Sequence, residues 1–125
     1  MVKNGWNADV DYSNGDDWND AHEKNCSASS FYGYRGGDLV GSVSAIFKGS
    51  GKGILSYGNC YYTGYVLVSL NGVELGRSSS NSKGVVTFQY RRGDVLKIEE
   101  YNTAIIKLYS FVLQDSGKRW LLGTN

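Results

Sequence analysis

The side chains best suited to hold a metal ion are concentrated near the start of the chain. Between residues 9 and 20, eight carboxylate, amide or Ser hydroxyl side chains accompany one glycine: Asp9, Asp11, Ser13, Asn14, Asp16, Asp17, Asn19 and Asp20. The candidate calcium ligands among them are Asp9, Asp11, Asn14, Asp16, Asp17 and Asp20. Calcium takes about six to eight oxygen ligands, and an irregular acidic loop can wrap around it. The pattern is not an EF-hand, because the glycine falls one position late and the final glutamate is absent. The segment predicts a calcium site, with solvated acidic surface as the alternative.

A second group of oxygen ligands follows a predicted strand, in the run Glu99-Glu100-Tyr101-Asn102. Neighbouring residues on a strand face opposite sides, so only Glu100 shares the inward side of Leu96 and Ile98. A carboxylate at the rim of a sheet, beside Asn102, can bind calcium or accept hydrogen bonds from sugar hydroxyls. The alternative is a rim carboxylate that pairs with a lysine and contributes little.

Aromatic residues in or beside loops are the third element, because a flat ring can pack against the C–H face of a sugar. Six aromatic residues have such settings: Trp18, Tyr32, Tyr34, Tyr61, Tyr62 and Tyr101. Trp18 and Tyr101 each adjoin one of the acidic groups, and we expect these two to stack on a sugar. The alternative is that aromatic residues of this kind complete the core.

Composition and charge exclude several classes of protein. The 125 residues predict a single domain, 1–125, and the formal charge of +1 gives no reason to expect a nucleic-acid partner. No apolar run is long enough to cross a bilayer. The single histidine, His22, has no catalytic signature around it, and adjacent glutamates on a strand cannot flank one glycosidic bond. We therefore expect no enzymatic activity.

The remaining pattern is that of an antiparallel sheet protein. Seventeen glycines, ten tyrosines and no proline accompany repeated period-two alternation that ends at turn residues such as Asn71-Gly72. About eight short strands at this spacing predict an all-β, jelly-roll-like sandwich. We expect the acidic N-terminal segment, residues 1–28, to be rich in loops. We expect Gly49–Gly53 to form a turn. The predicted core is Val43, Phe47, Leu55, Val66, Val68, Leu70, Val86, Phe88, Leu96, Ile98, Ile106 and Leu108.

Three short features bear on location and partners. Cys26 and Cys60 are an even pair, and Asn25-Cys26-Ser27 fits a glycosylation sequon. These features and the composition favour a secreted protein with a disulfide, although two free buried thiols are the alternative. Arg92-Gly93-Asp94 matches the integrin-recognition tripeptide, but the same residues suit a hairpin turn.

Several motifs together resemble a known family. Five motifs are similar to an extracellular β-domain of cnidarians and other marine invertebrates, of the sea-anemone galactose-binding lectin type: Gly49-Ser-Gly-Lys-Gly, Leu55-x-x-Gly-Asn-Cys60, Gly64-x-Val-x-Val-x-Leu-Asn-Gly72, Gly93-Asp-Val-Leu-Lys-Ile-Glu-Glu100 and Ile105-Ile-Lys-Leu. The resemblance covers residues 49 to 111, mostly turn glycines and core positions. It implies a β-sandwich that binds glycans with terminal galactose-type sugars through a calcium ion, commonly as a homodimer. The alternative function is an extracellular structural or adhesion domain that binds protein or matrix.

Overall fold

The computed structural model describes residues 2–4, 10–12, 18, 21–22, 41–102 and 104–115. These residues form nine strands: β1 (Val2–Asn4), β2 (Val10–Tyr12), β3 (Ser42–Phe47), β4 (Gly51–Asn59), β5 (Tyr65–Leu70), β6 (Val73–Ser78), β7 (Lys83–Tyr90), β8 (Val95–Tyr101) and β9 (Ile106–Asp115). No helix among them is long and apolar enough to cross a membrane.

The strands make two antiparallel sheets. One has four strands in the order β1-β9-β4-β7, and the other has five in the order β2-β3-β8-β5-β6. Phe47 of the five-stranded sheet stacks on Tyr90 of the four-stranded sheet, with ring centroids 4.1 Å apart, and also contacts Phe111. The inner faces of both sheets thus share one core, and the predicted β-sandwich is confirmed.

Period-two alternation identified the inner faces correctly. Eleven of the twelve predicted core residues are buried, and Leu70 is partly buried against the same cluster. The core also contains aromatic side chains that were not in the prediction, namely Trp18, Tyr57, Tyr90 and Phe111. Their burial adds apolar area to a chain in which small residues occupy many inward positions of β4 and β7.

The predicted turn at Gly49–Gly53 is wrong in its second half, because β4 begins at Gly51. Gly51 and Gly53 lie opposite Tyr90 and Phe88 across the strand pair. A Cβ atom on Gly53 would come within 2.4 Å of the Phe88 ring. The glycines therefore leave room for the aromatic rings of the neighbouring strand, and their role in this segment is packing.

The prediction that the N-terminal region is loop also needs a correction. Val10–Tyr12 forms β2, which pairs with β3, so that Asp11 lies opposite Ile46. Val10 and Tyr12 pack against the core, whereas Asp11 is exposed. A strand of only three residues is too short to show an alternating pattern, so the acidic composition of the segment suggested a loop. The apolar run Trp120-Leu121-Leu122 predicts a short closing strand, and it lies outside the described residues.

The hairpin turn predicted at Asn71-Gly72 is confirmed. Asn71 and Gly72 both have positive φ, at 51° and 83°, as a type I′ hairpin requires. The carboxylate of Asp94 accepts hydrogen bonds from Asn71 Nδ2 and from the amide of Arg91, each at 2.9 Å. Within Arg92-Gly93-Asp94 the acid thus acts as a turn cap.

Candidate functional site

A stacked pair of tyrosines marks the end of β5 and β8. Tyr65 opens β5 and lies directly opposite Tyr101, which closes β8. Their rings are 4.8 Å apart between centroids and 17° from parallel. Both alternate away from the inward residues Val66 and Ile98, so the pair lies on the outer face of the five-stranded sheet. Tyr101 was a predicted stacking residue, whereas Tyr65 was not.

An arginine extends the stack on the side of β6. The Cζ atom of Arg77 lies 4.6 Å from the centroid of the Tyr65 ring. Its guanidinium donates two hydrogen bonds to Glu74, at 2.9 and 2.7 Å, in the fork geometry that orients arginine strongly. This partner lowers the pKa of the Glu74 carboxyl. Glu74 thus orients the guanidinium that lies over the Tyr65 ring.

A carboxylate lies beside the other ring of the pair. Partial burial raises the pKa of the Tyr101 phenol, and the charge of Glu99 and a hydrogen bond with it raise that pKa further. Glu99 also forms an ion pair with Lys97, at 3.5 Å. The outer face therefore presents two rings between two charged pairs, one on β6 and one on β8.

The loop from Tyr61 to Gly64 adds an exposed ring to this end of the sandwich. Tyr62 is 62% exposed and packs against Tyr61, with centroids 4.3 Å apart. Both tyrosines were among the predicted loop aromatics. The Thr63 hydroxyl donates to the carbonyl of Asn102, at 3.4 Å, which ties the loop to the segment that follows β8.

One buried amide organises this loop. Asn59 is almost completely buried, and its Nδ2 donates to the carbonyls of Thr63 and Gly64, at 3.0 and 3.2 Å. Its Oδ1 accepts from the amides of Tyr61 and Ile105, at 2.9 and 3.0 Å. A single side chain therefore joins the loop before β5 to the segment before β9, with all of its hydrogen-bonding capacity in use on both sides.

Gly64 allows the loop to lie close to the end of β8. Its φ is 76°, and a Cβ atom here would come within 2.1 Å of the Tyr101 carbonyl oxygen and 2.5 Å of that of Asn102. Asn102 itself is exposed and has a φ of 55°. We call Tyr62, Tyr65, Tyr101, Arg77 and Asn102 the tyrosine site.

Glu100 lies at this end of β8 with its carboxylate bound to the backbone of the fold. Oε1 accepts from the amide of Gly41 at 2.9 Å, and the Glu100 amide donates to the Gly41 carbonyl at 2.8 Å. Glu100 pairs with the buried Val66, so it faces the opposite side from Tyr101. Glu100 therefore hydrogen-bonds to the backbone just before β3. It does not lie on the surface that carries the stacked rings.

The other predicted stacking residue, Trp18, lies in the core. It is 1% exposed, packs between Tyr12 and Phe111, and donates from Nε1 to the carbonyl of Ser44 at 3.1 Å. Its ring has no face open to a sugar. Trp18 therefore completes the core, which was the alternative interpretation of the loop aromatics.

Most of the predicted calcium ligands lie outside the described residues, namely Asp9, Asn14, Asp16, Asp17 and Asp20. Asp11 is exposed on β2 and forms an ion pair with Lys48 at 3.4 Å. Asp11 pairs with Ile46, and Ile46 pairs in turn with Val95 of β8. Val95 precedes Glu100 by five residues, which places Asp11 and Glu100 roughly 17 Å apart along the strand direction. One ion cannot bind both carboxylates. The described part of the chain contains no group of three acidic, histidine or cysteine residues that could hold a metal.

Cys60 follows Asn59 at the start of the loop and is buried. Cys60 is the one cysteine in the described part of the chain, and it is not a free thiol. Cys26 lies outside the described residues, so its pairing with Cys60 stays a prediction.

The tyrosine site suits a flat, hydroxylated ligand. The exposed Tyr62 ring and the half-buried rings of Tyr65 and Tyr101 can pack against the apolar C–H groups of a sugar, and the charged groups of Glu99 and Arg77 can hydrogen-bond to its hydroxyls. Sequence reasoning missed Tyr65 and Arg77 because their proximity to Tyr101 depends on cross-strand register. The Asn71-Gly72 turn, which fixes how β5 and β6 pair, was the only available signal.

Comparisons with known proteins find no family model and no curated protein that matches the chain. Several solved structures have partial likeness, and three of them illustrate its extent. GITRL from bushbaby is 17% identical over 58% of this chain and 69% of its own, with a TM-score of 0.43. A carbohydrate-binding module, CBM36, in complex with calcium and xylotriose is 15% identical over 57% and 70%, with a TM-score of 0.34.

The catalytic domain of a GH87 alpha-1,3-glucanase in complex with nigerose is 12% identical over 63% of this chain and 21% of its own, with a TM-score of 0.38. This chain thus spans about a fifth of that structure's length. Because identities are this low and every TM-score is below 0.5, the three likenesses identify no family and no ligand for the chain.

Proposed function

We propose that this domain is a non-catalytic carbohydrate-binding lectin whose ligand contacts the tyrosine site. The observation that carries the proposal is the fixed stack of Arg77, Tyr65 and Tyr101 on the outer face of the five-stranded sheet, with Glu99 beside it. Aromatic surface next to oriented charged groups is what recognition of a sugar requires. Since these groups are held by one another, little ordering cost remains to be met on binding.

The two carboxylates beside the tyrosine site, Glu74 and Glu99, favour binding over hydrolysis. A general acid needs a carboxyl whose pKa is raised, whereas hydrogen bonding to Arg77 lowers the pKa of Glu74. Glu99 is an ion-pair partner of Lys97 on the same strand. Both acids therefore serve as charged hydrogen-bond acceptors in the proposed site.

The finer assignments rest on the family resemblance stated above. We propose galactose-type terminal sugars as ligands, a secreted protein, and a calcium requirement met by the acidic segment around residues 9–20. Glu100 does not complete that calcium site together with Asp11, given their separation. The homodimer and the Cys26–Cys60 disulfide stay predictions.

Substitution of Tyr101 tests the proposed site. Loss of an aromatic anchor commonly costs tenfold or more in affinity, so Tyr101→Ala should weaken binding to a galactose-terminated oligosaccharide by about tenfold. Tyr101→Phe keeps the ring and removes the hydroxyl that contacts Glu99, and should retain most of the affinity. Isothermal titration calorimetry measures the affinity of both variants for the oligosaccharide.

Val73→Ala is the matched control, because Val73 is 67% exposed on β6 of the same sheet but lies outside the tyrosine site. Equal binding by Tyr101→Ala and Val73→Ala would contradict the proposal. A glycan array without any sugar-selective signal would also contradict it and would favour the adhesion domain.

Removal of metal tests the calcium requirement separately. We expect a chelator to abolish the sugar signal and added calcium to restore it, because vicinal hydroxyls can replace water molecules on a bound ion. Asp16→Asn should then mimic the chelator, and Glu100→Gln should not. Sugar binding that is unchanged by the chelator would rule out calcium dependence while leaving the tyrosine site in place.

A further inference from the structure

The hairpin turn between β5 and β6 contains the dipeptide Asn71-Gly72, which has a chemical reactivity of its own. In an Asn-Gly pair the backbone nitrogen of the glycine can attack the side-chain amide carbon of the asparagine, because glycine has no side chain to hinder the approach. Both residues are exposed, so water reaches the turn. The pair is therefore a candidate site for deamidation, a covalent modification that needs no enzyme.

Deamidation would replace the amide of Asn71 with an acid in two steps. In the first step the Gly72 nitrogen loses its proton and bonds to Cγ of Asn71, the bond from Cγ to Nδ2 breaks, and ammonia leaves with that proton. The product is a five-membered succinimide ring. In the second step water opens the ring at one of its two carbonyls, which leaves aspartate or isoaspartate. The sum is amide and water to carboxylic acid and ammonia, without oxidation or reduction.

The folded protein holds the side chain of Asn71 away from this reaction. Nδ2 donates a hydrogen bond to Oδ1 of Asp94, and Oδ1 of Asn71 accepts one from the Val95 amide, each at 2.9 Å. The backbone amide of Asn71 also donates to the Val95 carbonyl, at 2.8 Å. We call these three hydrogen bonds the Asn71 clasp. Since Cγ must approach the Gly72 nitrogen, both side-chain bonds of the clasp have to break before the ring can close.

The backbone of the turn adds a second barrier. Asn71 and Gly72 have φ values of 51° and 83°, as in a type I′ turn. In a turn of this type ψ of the first residue is about 30°. This ψ places Cβ of Asn71 nearly trans to the Gly72 nitrogen, whereas the succinimide ring requires the two atoms on the same side of the Cα–C bond. The hairpin must therefore open locally before the ring forms.

We propose that Asn71 is a deamidation site that the fold keeps inactive, and that Asp94 is the residue that protects it. The carboxylate of Asp94 is oriented by the Arg91 amide, which donates to its Oδ2 at 2.9 Å. Neither product restores the clasp. Aspartate in place of Asn71 sets one carboxylate against another, and isoaspartate adds a carbon to the backbone of a two-residue turn. Deamidation thus permanently releases the hairpin from the start of β8. The inference does not depend on the tyrosine site.

Peptide mass spectrometry of protein incubated at mildly alkaline pH, which favours loss of the Gly72 amide proton, measures deamidation at Asn71. We expect the reaction to be about tenfold or more slower in the native protein than in urea, because its rate follows the population of the open hairpin. Asp94→Ala removes the acceptor of Nδ2 and should speed the native reaction about fivefold. Asp94→Asn keeps an oxygen acceptor and should remain closer to the wild type.

Two controls separate the clasp from other effects. In urea all variants should react at one rate, since the Asn71-Gly72 pair is unchanged and Asp94 is remote from it in sequence. Lys97→Gln is an exposed change on β8 outside the clasp, and its native rate should stay within about twofold of the wild type.

Three results would overturn the inference. The first is a native rate of the wild type that equals its rate in urea. The second is equal native rates for Asp94→Ala and the wild type. The third is a gain in rate from Lys97→Gln as large as that from Asp94→Ala. Circular dichroism checks the fold of each variant. If Asp94→Ala does not fold, Asp94→Asn decides: a native rate equal to its rate in urea contradicts the role of Asp94, and one near that of the wild type supports it.

Discussion

At the scale of single residues, two side chains that hold turns matter as much as those that would touch a ligand. Asn59 and Asn71 each connect backbone segments that are distant in sequence. Asn59 does so in the core and Asn71 at the surface. Neither role depends on the chemistry of a ligand, so both can be tested on the protein alone.

Removal of the Asn59 side chain should be severely destabilising. Asn59→Leu keeps the approximate volume but leaves the amides of Tyr61 and Ile105 and two carbonyls without their partner. Since each buried group left unsatisfied costs about 1–3 kcal/mol, we expect a loss of about 3 kcal/mol or more. Urea denaturation measures it, with the exposed Gln89→Leu as a control that should change stability by about 0.5 kcal/mol at most. Similar stabilities for the two variants would refute the role of Asn59.

The Asp94 cap predicts a dependence of stability on pH. The hydrogen bond from Asn71, and then that from the Arg91 amide, lower the folded-state pKa of Asp94. A lowered pKa stabilises the fold at pH above the unfolded value, about 3.9, and this contribution is lost as the pH falls through the folded value. Asn71→Gly keeps the positive φ and removes the side chain, so its stability should fall less steeply in acid than that of the wild type. An NMR titration that places the pKa of Asp94 at or above the unfolded value would contradict this account.

At the scale of strands and turns, close approach decides where glycine is required. Gly64 and Gly72 both have positive φ, but a Cβ atom on Gly64 would collide with the carbonyls of Tyr101 and Asn102, whereas one on Gly72 would meet nothing within 4 Å. Gly64 is therefore required for the close packing of two segments, whereas Gly72 is required only for the conformation of its turn.

This difference predicts unequal costs for the same substitution. Gly72→Ala should cost about 1 kcal/mol, from backbone strain alone. Gly64→Ala should cost clearly more, about 3 kcal/mol, because the loop must also move away from the end of β8. Thermal denaturation of both variants checks the order. Equal costs, or a larger cost at Gly72, would show that the packing of the loop against β8 does not contribute to stability.

Much of the fold could be predicted from alternation, and the misses have physical causes. The runs around Val66 and Phe88 alternate over enough residues to reveal their inner faces. At Gly51 and Gly53 the glycines suggested a turn, because their packing against Phe88 and Tyr90 depends on a strand distant in sequence. Strand β2 is too short to show a period.

The candidate site was predicted only in part for the same reason. Tyr101 was found because it follows Glu99 and Glu100, and Tyr62 because it lies in a loop. Tyr65 and Arg77 join Tyr101 only through the register of three strands. Trp18 adjoins acidic residues in sequence but packs against Phe111, a contact that local sequence does not reveal.

At the scale of the whole molecule, the sandwich separates two surfaces of different chemistry. The outer face of the five-stranded sheet holds aromatic rings among paired charges, whereas that of the four-stranded sheet holds the exposed Lys52 and Lys83 beside polar and apolar side chains at its described outward positions. One rigid core lies between them. A sugar bound at the tyrosine site would therefore leave the outer face of the four-stranded sheet uncovered.

The most direct test of the tyrosine site is an NMR map of the amide shifts as a galactose-terminated oligosaccharide is added in the presence of calcium. We expect the largest changes at residues 61–65 and 99–102, we expect them to saturate with the sugar, and we expect Tyr101→Ala to remove them. Changes confined to other residues, or no saturable change at any amide, would contradict the central claim that this end of the sandwich binds carbohydrate.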